Sequence, residues 1–215
     1  MSQSAWADDI YTEPKTVDMR TLANLGPLTP LAGVWEGTRG VDIAPKSYGA
    51  RTQPYVERIE LQPIDPALNG PQLFYGLRYH QFVTKPGQLG AYHDQVGFWL
   101  WEPATGSIIQ SLAIPRGQVA MAVGTAAPDA RTFELIATHG AAEFGILSNP
   151  FLDKAFKTTH YRIQVTIGDD GGWSYEEDTV LMLHGVEAFH HTDRSTLVKI
   201  AEPTPNPKAR QQAGA

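Results

Sequence analysis

The chain has 215 residues, a formal net charge of −6 at pH 7 and no cysteine. That length suits one domain with tails. The missing cysteine excludes disulfides, zinc–thiolate sites, iron–sulfur clusters and thiol nucleophiles, and an acidic balance without a basic cluster argues against nucleic acid as a partner. No basic segment followed by an apolar run opens the chain, and no stretch is long and apolar enough to span a bilayer, so the expectation is a cytoplasmic protein with no membrane partner.

Residues 1–27 read as an N-terminal arm, with one short helical turn in Met19–Leu31 broken by Gly26-Pro27 and Pro30. From there the hydrophobic period is two. Strands are predicted near 33–41, 55–62, 72–83, 90–101, 107–114, 118–126, 131–138, 158–168, 172–183 and 190–201. Turn residues separate them, such as Pro86-Gly87, Pro115-Arg116-Gly117 and Asp169-Asp170-Gly171-Gly172. No helical pattern lies between successive strands, so βαβ units are not expected. About ten sequential strands imply an all-β fold, an antiparallel up-and-down barrel over residues 28–202, which closes the edges of a flat sheet. A barrel of that size is wide enough to hold a ligand. The rhythm breaks once, at Gly140–Lys157, an insertion that suits a short helix or a lid with Asn149-Pro150 as a stop. Residues 203–215, beginning Pro-Thr-Pro-Asn-Pro, read as a disordered tail.

Histidines mark the candidate chemistry. His190 and His191 stand side by side at the start of the last strand, and successive strand residues face opposite ways, so only one of them looks inward. His80 lies in the third strand beside Arg78 and Tyr79, and His93 in the aromatic fourth strand, Tyr92 to Trp101. Both faces of the fourth strand are plausible interiors, which leaves the direction of His93 open. Half-exposed strand histidines are the plain alternative for all of these. Trp35 in Gly33-Val34-Trp35-Glu36-Gly37 suits a plug for one barrel end, and Arg116 suits a rim position facing a carboxylate. No Gly-x-Ser-x-Gly elbow, His-Glu-x-x-His, Walker loop or Gly-x-Gly-x-x-Gly is present. Ser195, Asp193 and His191 alternate along one strand, too far apart for a Ser–His hydrogen bond, so they do not form a triad.

These stretches together resemble the nitrobindin family of haem-binding β-barrels, the domain also found at the C-terminus of a human THAP protein and similar in build to fatty-acid-binding proteins and lipocalins (the calycin group). Gly33-Val34-Trp35-Glu36-Gly37 matches the first five positions of the family's Gly-x-Trp-x-Gly-x-Gly; the last glycine is displaced by one, to Gly40. Tyr92-His93 with Gly97-Phe98 resembles the strand carrying the distal histidine, and the final strand resembles the one carrying the proximal haem ligand. Longer blocks, including Arg78-Tyr79-His80, Ile114-Pro115-Arg116-Gly117 and His191-Thr192-Asp193, are similar to a bacterial branch of the superfamily. The resemblance implies a haem b cofactor with His191 as the metal ligand (His190 if the register shifts by one) and His93, Trp35, Arg116 and His80 around it; Asp193 and Ser195, on the same strand face as His191, are the candidates to support that ligand. It further implies nitric oxide binding or isomerisation of peroxynitrite to nitrate, in a monomer or homodimer. The alternative in the same barrel is a non-enzymatic carrier of an apolar acid. A third reading has His80, His93 and Arg78 acting on a carboxylate or lactone.

Overall fold

The computed structural model describes residues 9–213, and in it the period-two pattern becomes a closed barrel. After two 3₁₀ turns, Thr21–Ala23 and Gly26–Leu31, come β1 (Gly33–Lys46), β2 (Gly49–Pro63), β3 (Ala67–Asn69), β4 (Gln72–Thr84), β5 (Ala91–Glu102), β6 (Ser107–Ile114), β7 (Gln118–Thr125), β8 (Thr132–His139) and β9 (Gly145–Ser148). Then follow α1 (Pro150–Ala155), β10 (Phe156–Ile167), β11 (Trp173–Leu183), β12 (Glu187–Ala201) and α2 (Pro207–Ala213). The ten long strands match the ten expected ones. β1 pairs with both β2 and β12, and β2 pairs with β4, which shuts the ring. Short β9 enters between β7 and β8, antiparallel to the first and parallel to the second, so eleven strands make the wall. Strand β3 only extends the edge of β4. No helix among the described residues is long and apolar enough to cross a membrane.

One end of the barrel is plugged. The 3₁₀ turns deliver Leu25, Leu28 and Leu31 against Trp35, all fully buried. The indole of Trp35 stands edge-on to that of Trp173 at 6.0 Å, and its Nε1 donates to the Leu31 carbonyl at 2.7 Å. Burying a ring of that size removes roughly 200 Å² from water, about 5 kcal/mol of driving force. The N-terminal segment is therefore part of the core from Thr21 onward rather than a loose arm; residues 1–8 lie outside the described residues.

Two expectations change. Asn149-Pro150 starts a helix instead of stopping one: Asn149 Oδ1 accepts from the amides of Phe151 and Leu152, and Pro150 takes the first-turn position where its missing N–H is harmless. The tail expected to be disordered is anchored at Thr204, Asn206 and Lys208 and continues as the exposed helix α2. Asn206 is buried, its Oδ1 accepts from Thr21 N, and its Nδ2 donates to Met19 O and Asp65 Oδ1. With Thr204 N on Gln62 Oε1 and Lys208 N on Asp65 Oδ1, five hydrogen bonds hold a segment whose composition alone reads as unstructured; residues 214 and 215 lie outside the described residues.

Replacing Trp35 by Phe is expected to cost about 1–3 kcal/mol, since it shrinks a filled site and leaves the buried Leu31 carbonyl without its donor. Urea denaturation should show a lower midpoint at unchanged slope.

Candidate functional site

The other end of the barrel is open and leads into a cavity of about 520 Å³. One side is apolar, with Leu112 and Ile114 from β6, Ile146 from β9, Phe151 and Leu152 from α1, and Leu181 from β11. The insertion at 140–157 thus supplies part of the mouth. Asn149 fixes it there, because its Nδ2 donates to the Arg116 carbonyl at 2.5 Å while its Oδ1 caps α1. Lys46 and Arg116 stand at the rim.

The other side is polar, and it is built by strand register. Asp42 on β1 is directly opposite Gln53 on β2 and Asp193 on β12, and Asp193 is directly opposite Glu177 on β11. All three carboxylates line the cavity. His191, two residues before Asp193, shares its inward face. Its Nε2 lies 2.9 Å from Asp42 Oδ1 and 3.4 Å from Asp193 Oδ2. The other oxygen of Asp42 accepts from Tyr92 OH and Gln53 Nε2, each at 2.5 Å. Asp42 is therefore held on both sides at 1% exposure. Below this row, Tyr175 OH and Gln81 Nε2 donate to Glu57 Oε2 at 3.0 and 2.8 Å, and Tyr55 OH meets Tyr175 OH at 2.8 Å.

These contacts set the charges. Burial alone would push the Asp42 pKa up, but the hydrogen bonds from His191, Tyr92 and Gln53 outweigh it, so Asp42 is held below the usual carboxylate range and stays ionised. Burial likewise works against the His191 imidazolium, and the hydrogen bond to Asp42 with the nearby Asp193 charge overturns it in favour of the protonated form. Asp193 is pushed up to about 6, first by burial and then by Asp42 and Glu57 against the pull of His191. Glu177 is pushed up to about 8, by burial and by the Asp193 charge. His93 is lowered, chiefly by burial, with Arg116 and His191 adding to it, so its imidazole is neutral.

The closed β-barrel agrees with the comparisons. The sequence pattern of the THAP4-like, heme-binding beta-barrel domain matches residues 24–199. The chain belongs to that family. Among solved structures it is similar to the crystal structure of Rv2717c from M. tuberculosis, with a TM-score of 0.59 and 22% identity over 85% of this chain and 99% of that one, a likeness of fold. No curated protein sequence matches it.

The side chains of this THAP4-like barrel suit a haem in three respects. The cavity presents an imidazole whose Nε2 is held by a buried carboxylate, as metal-bound histidines commonly are, and Nδ1 makes no hydrogen bond among the described residues. An apolar wall faces that imidazole, and two rim cations stand where carboxylates of a ligand would emerge.

Of the residues singled out in the sequence, His191, His93 and Arg116 meet at the cavity. His93 looks inward from β5 with Nε2 on Gln95 Oε1 at 3.2 Å, and Arg116 reaches the Tyr92 carbonyl at 3.4 Å. His190 faces outward, its side chain 65% exposed and paired with Asp178 at 2.8 Å. Two residues expected around the ligand are elsewhere. His80 has the outward parity of β4, is 52% exposed and bonds Asp94 at 2.9 Å. Arg78 shares that outer face, so His80 and Arg78 cannot act together with His93. Trp35 sits in the plug and does not line the cavity. Ser195 is buried beneath Asp193 on β12. Asp42, Tyr92, Gln53 and Glu177 escaped the sequence reading; the signal was a lone acid in Val41-Asp42-Ile43-Ala44, an otherwise apolar run.

A carboxyl whose pKa is higher folded than unfolded binds more protons in the folded state. Its contribution to stability is complete below its ordinary value near 4.5 and is lost as pH rises through about 8. Glu177→Gln should therefore match the wild type near pH 4.5 and melt higher by roughly 10 °C at pH 8.5, as read by thermal unfolding of the ligand-free protein.

Proposed function

We propose that the cavity binds haem with His191 as the axial ligand and that the protein binds nitric oxide or isomerises peroxynitrite to nitrate there. The observation that carries this reading is the Asp42–His191 pair: a cavity-lining imidazole with one nitrogen held by a carboxylate at 2.9 Å. Membership of a haem-binding domain family supports it.

The chain's own residues divide the work. Asp42 keeps the proton on Nε2 and leaves Nδ1 as the donor atom, while Tyr92 and Gln53 stop the Asp42 carboxylate from turning. The apolar wall would lie against the porphyrin, and Arg116 and Lys46 would meet the propionates at the mouth. His93 stands four strands from His191 around the ring, by way of β1, β2, β4 and β5, and offers a neutral imidazole to a small ligand in the cavity. Bound iron would supply the centre at which nitric oxide or peroxynitrite is held. A carrier of apolar acids is less well served, because the cations lie only at the rim while Asp42, Asp193 and Glu177 line the interior.

Added haemin should give a Soret band that His191→Ala abolishes and His190→Ala leaves intact. The loaded protein should accelerate peroxynitrite decay to nitrate. A wild type without a Soret band that binds a fluorescent fatty-acid probe would replace this reading with the carrier.

A further inference from the structure

The connections at the open end of the barrel differ from those at the plugged end in what they expose. Residues 47–48, 85–90, 115–117 and 184–186 join strands there, as does the stretch 140–155 that holds β9 and α1. Four of these five connections turn a large apolar side chain to water: Tyr48 at 72% exposure, Leu89 at 98%, Phe151 at 66% and Val186 at 84%. Among the described residues, no turn between strands at the plugged end exposes one. Single exposed apolar residues are ordinary on a protein surface. Four of them on separate connections around one opening form a ring, and grouped apolar exposure rimmed by polar residues marks an interaction surface.

The ring also carries charge. Lys46, Lys85, Arg116, Lys154 and Lys157 lie in or beside these connections, against Glu143, Asp153 and Glu187. Five basic residues to three acidic ones reverse the balance of the whole chain, which has 17 to 23. Apolar tips with cations between them suit the interface of an anionic bilayer. The apolar groups enter the acyl boundary, and the lysine and arginine stems reach back to the headgroups. Tyr48, with an apolar ring and a polar hydroxyl, suits the headgroup level. Such contact needs no spanning segment. A nucleic acid would leave the apolar tips in water, and a cationic partner would meet the basic residues as repulsion.

The ring is continuous with the cavity. Phe151 and Leu152 of α1 line it, while Phe151 also faces outward, its ring 6.2 Å from that of Phe156. An apolar path therefore runs from the outer rim to the inner wall. We propose that the open end docks on an anionic lipid surface through Tyr48, Leu89, Phe151 and Val186, so that a lipid-soluble ligand passes between bilayer and cavity along α1. This surface goes beyond the haem reading and does not rest on it, since any apolar ligand would take the same route.

The test is co-sedimentation of the ligand-free protein with vesicles of phosphatidylcholine and phosphatidylglycerol. The wild type should bind them, and more weakly as salt is raised. Leu89→Ser combined with Val186→Ser should weaken binding roughly tenfold or more, and Lys154→Glu about fivefold. Val198→Ser, on the outer face of β12 toward the plugged end, should bind as the wild type does. All four side chains are exposed, so the variants should keep the thermal midpoint of the wild type. No co-sedimentation of the wild type, or undiminished binding by the folded Leu89→Ser/Val186→Ser protein, overturns the proposal. Self-association that this double variant abolishes, in place of vesicle binding, also overturns it and gives the ring to a second copy of the chain.

Discussion

One extra residue in β1 decides what the cavity contains. Gly37 pairs with Glu57 and Gly40 pairs with Tyr55, so three steps along β1 match two along β2. This is a β-bulge at Thr38-Arg39, and it reverses the parity of the strand. Before it, Gly33, Trp35 and Gly37 face in; after it, Gly40, Asp42 and Ala44 do. Without the bulge Asp42 would face solvent and His191 would lose its partner. The same residue accounts for the displaced glycine in the Gly-x-Trp-x-Gly-x-Gly pattern. Gly40 has to be glycine because a Cβ there would lie 2.1 Å from the Tyr55 ring.

The bulge also divides the barrel by function. On the plug side the inward residues of β1 are small or aromatic and pack against Leu25, Leu28, Leu31 and Trp173. That end carries the hydrophobic driving force. On the mouth side one wall is apolar and the other polar, and the polar residues depend on mutual satisfaction: Asp42 with His191, Tyr92 and Gln53; Glu57 with Gln81 and Tyr175; Tyr161 with Gln110; Tyr79 with Gln95. Such networks hold a site rigid only when each member keeps its partner. The apolar end can therefore hold the fold while the polar end is arranged around a ligand.

The ten long strands were legible because period-two alternation and Gly/Pro turns recur along the chain. Strand β9, four residues long, has too little sequence to show a period, and α2 forms because Asn206 is anchored by residues far away in sequence, Met19 and Asp65. At the site, the histidine pair was legible and Asp42 was not. Alternation along the strand showed that only one of His190 and His191 faces inward, and the family resemblance pointed to His191 with His190 as the alternative. Asp42 follows a bulge, and a one-residue bulge turns every later side chain to the other face. His80 was misplaced for a related reason: His80 and His93 sit in similar aromatic strands, but composition does not distinguish the faces of a strand rich in apolar residues on both sides. The β4–β5 register settles it, with Val83 opposite His93 and His80 opposite Val96.

His191 is the point where these constraints meet. A lone cavity histidine would be a neutral ligand waiting for a metal. Paired to an ionised Asp42, it is drawn toward its protonated form, and any metal it binds through Nδ1 must first displace a proton. Asp42 therefore acts in two directions: it orients the ring and strengthens it as a donor, and it competes with the metal by stabilising the imidazolium. Which effect prevails depends on the remaining charge of the cavity. Asp193 faces the same space, so an incoming cation gains from its carboxylate as well as from Asp42, while Glu177, pushed up to about 8, is protonated at neutral pH and adds no charge there. The polar wall therefore favours ligands that bring positive charge to His191 and keep their own negative groups at the mouth, beside Arg116 and Lys46.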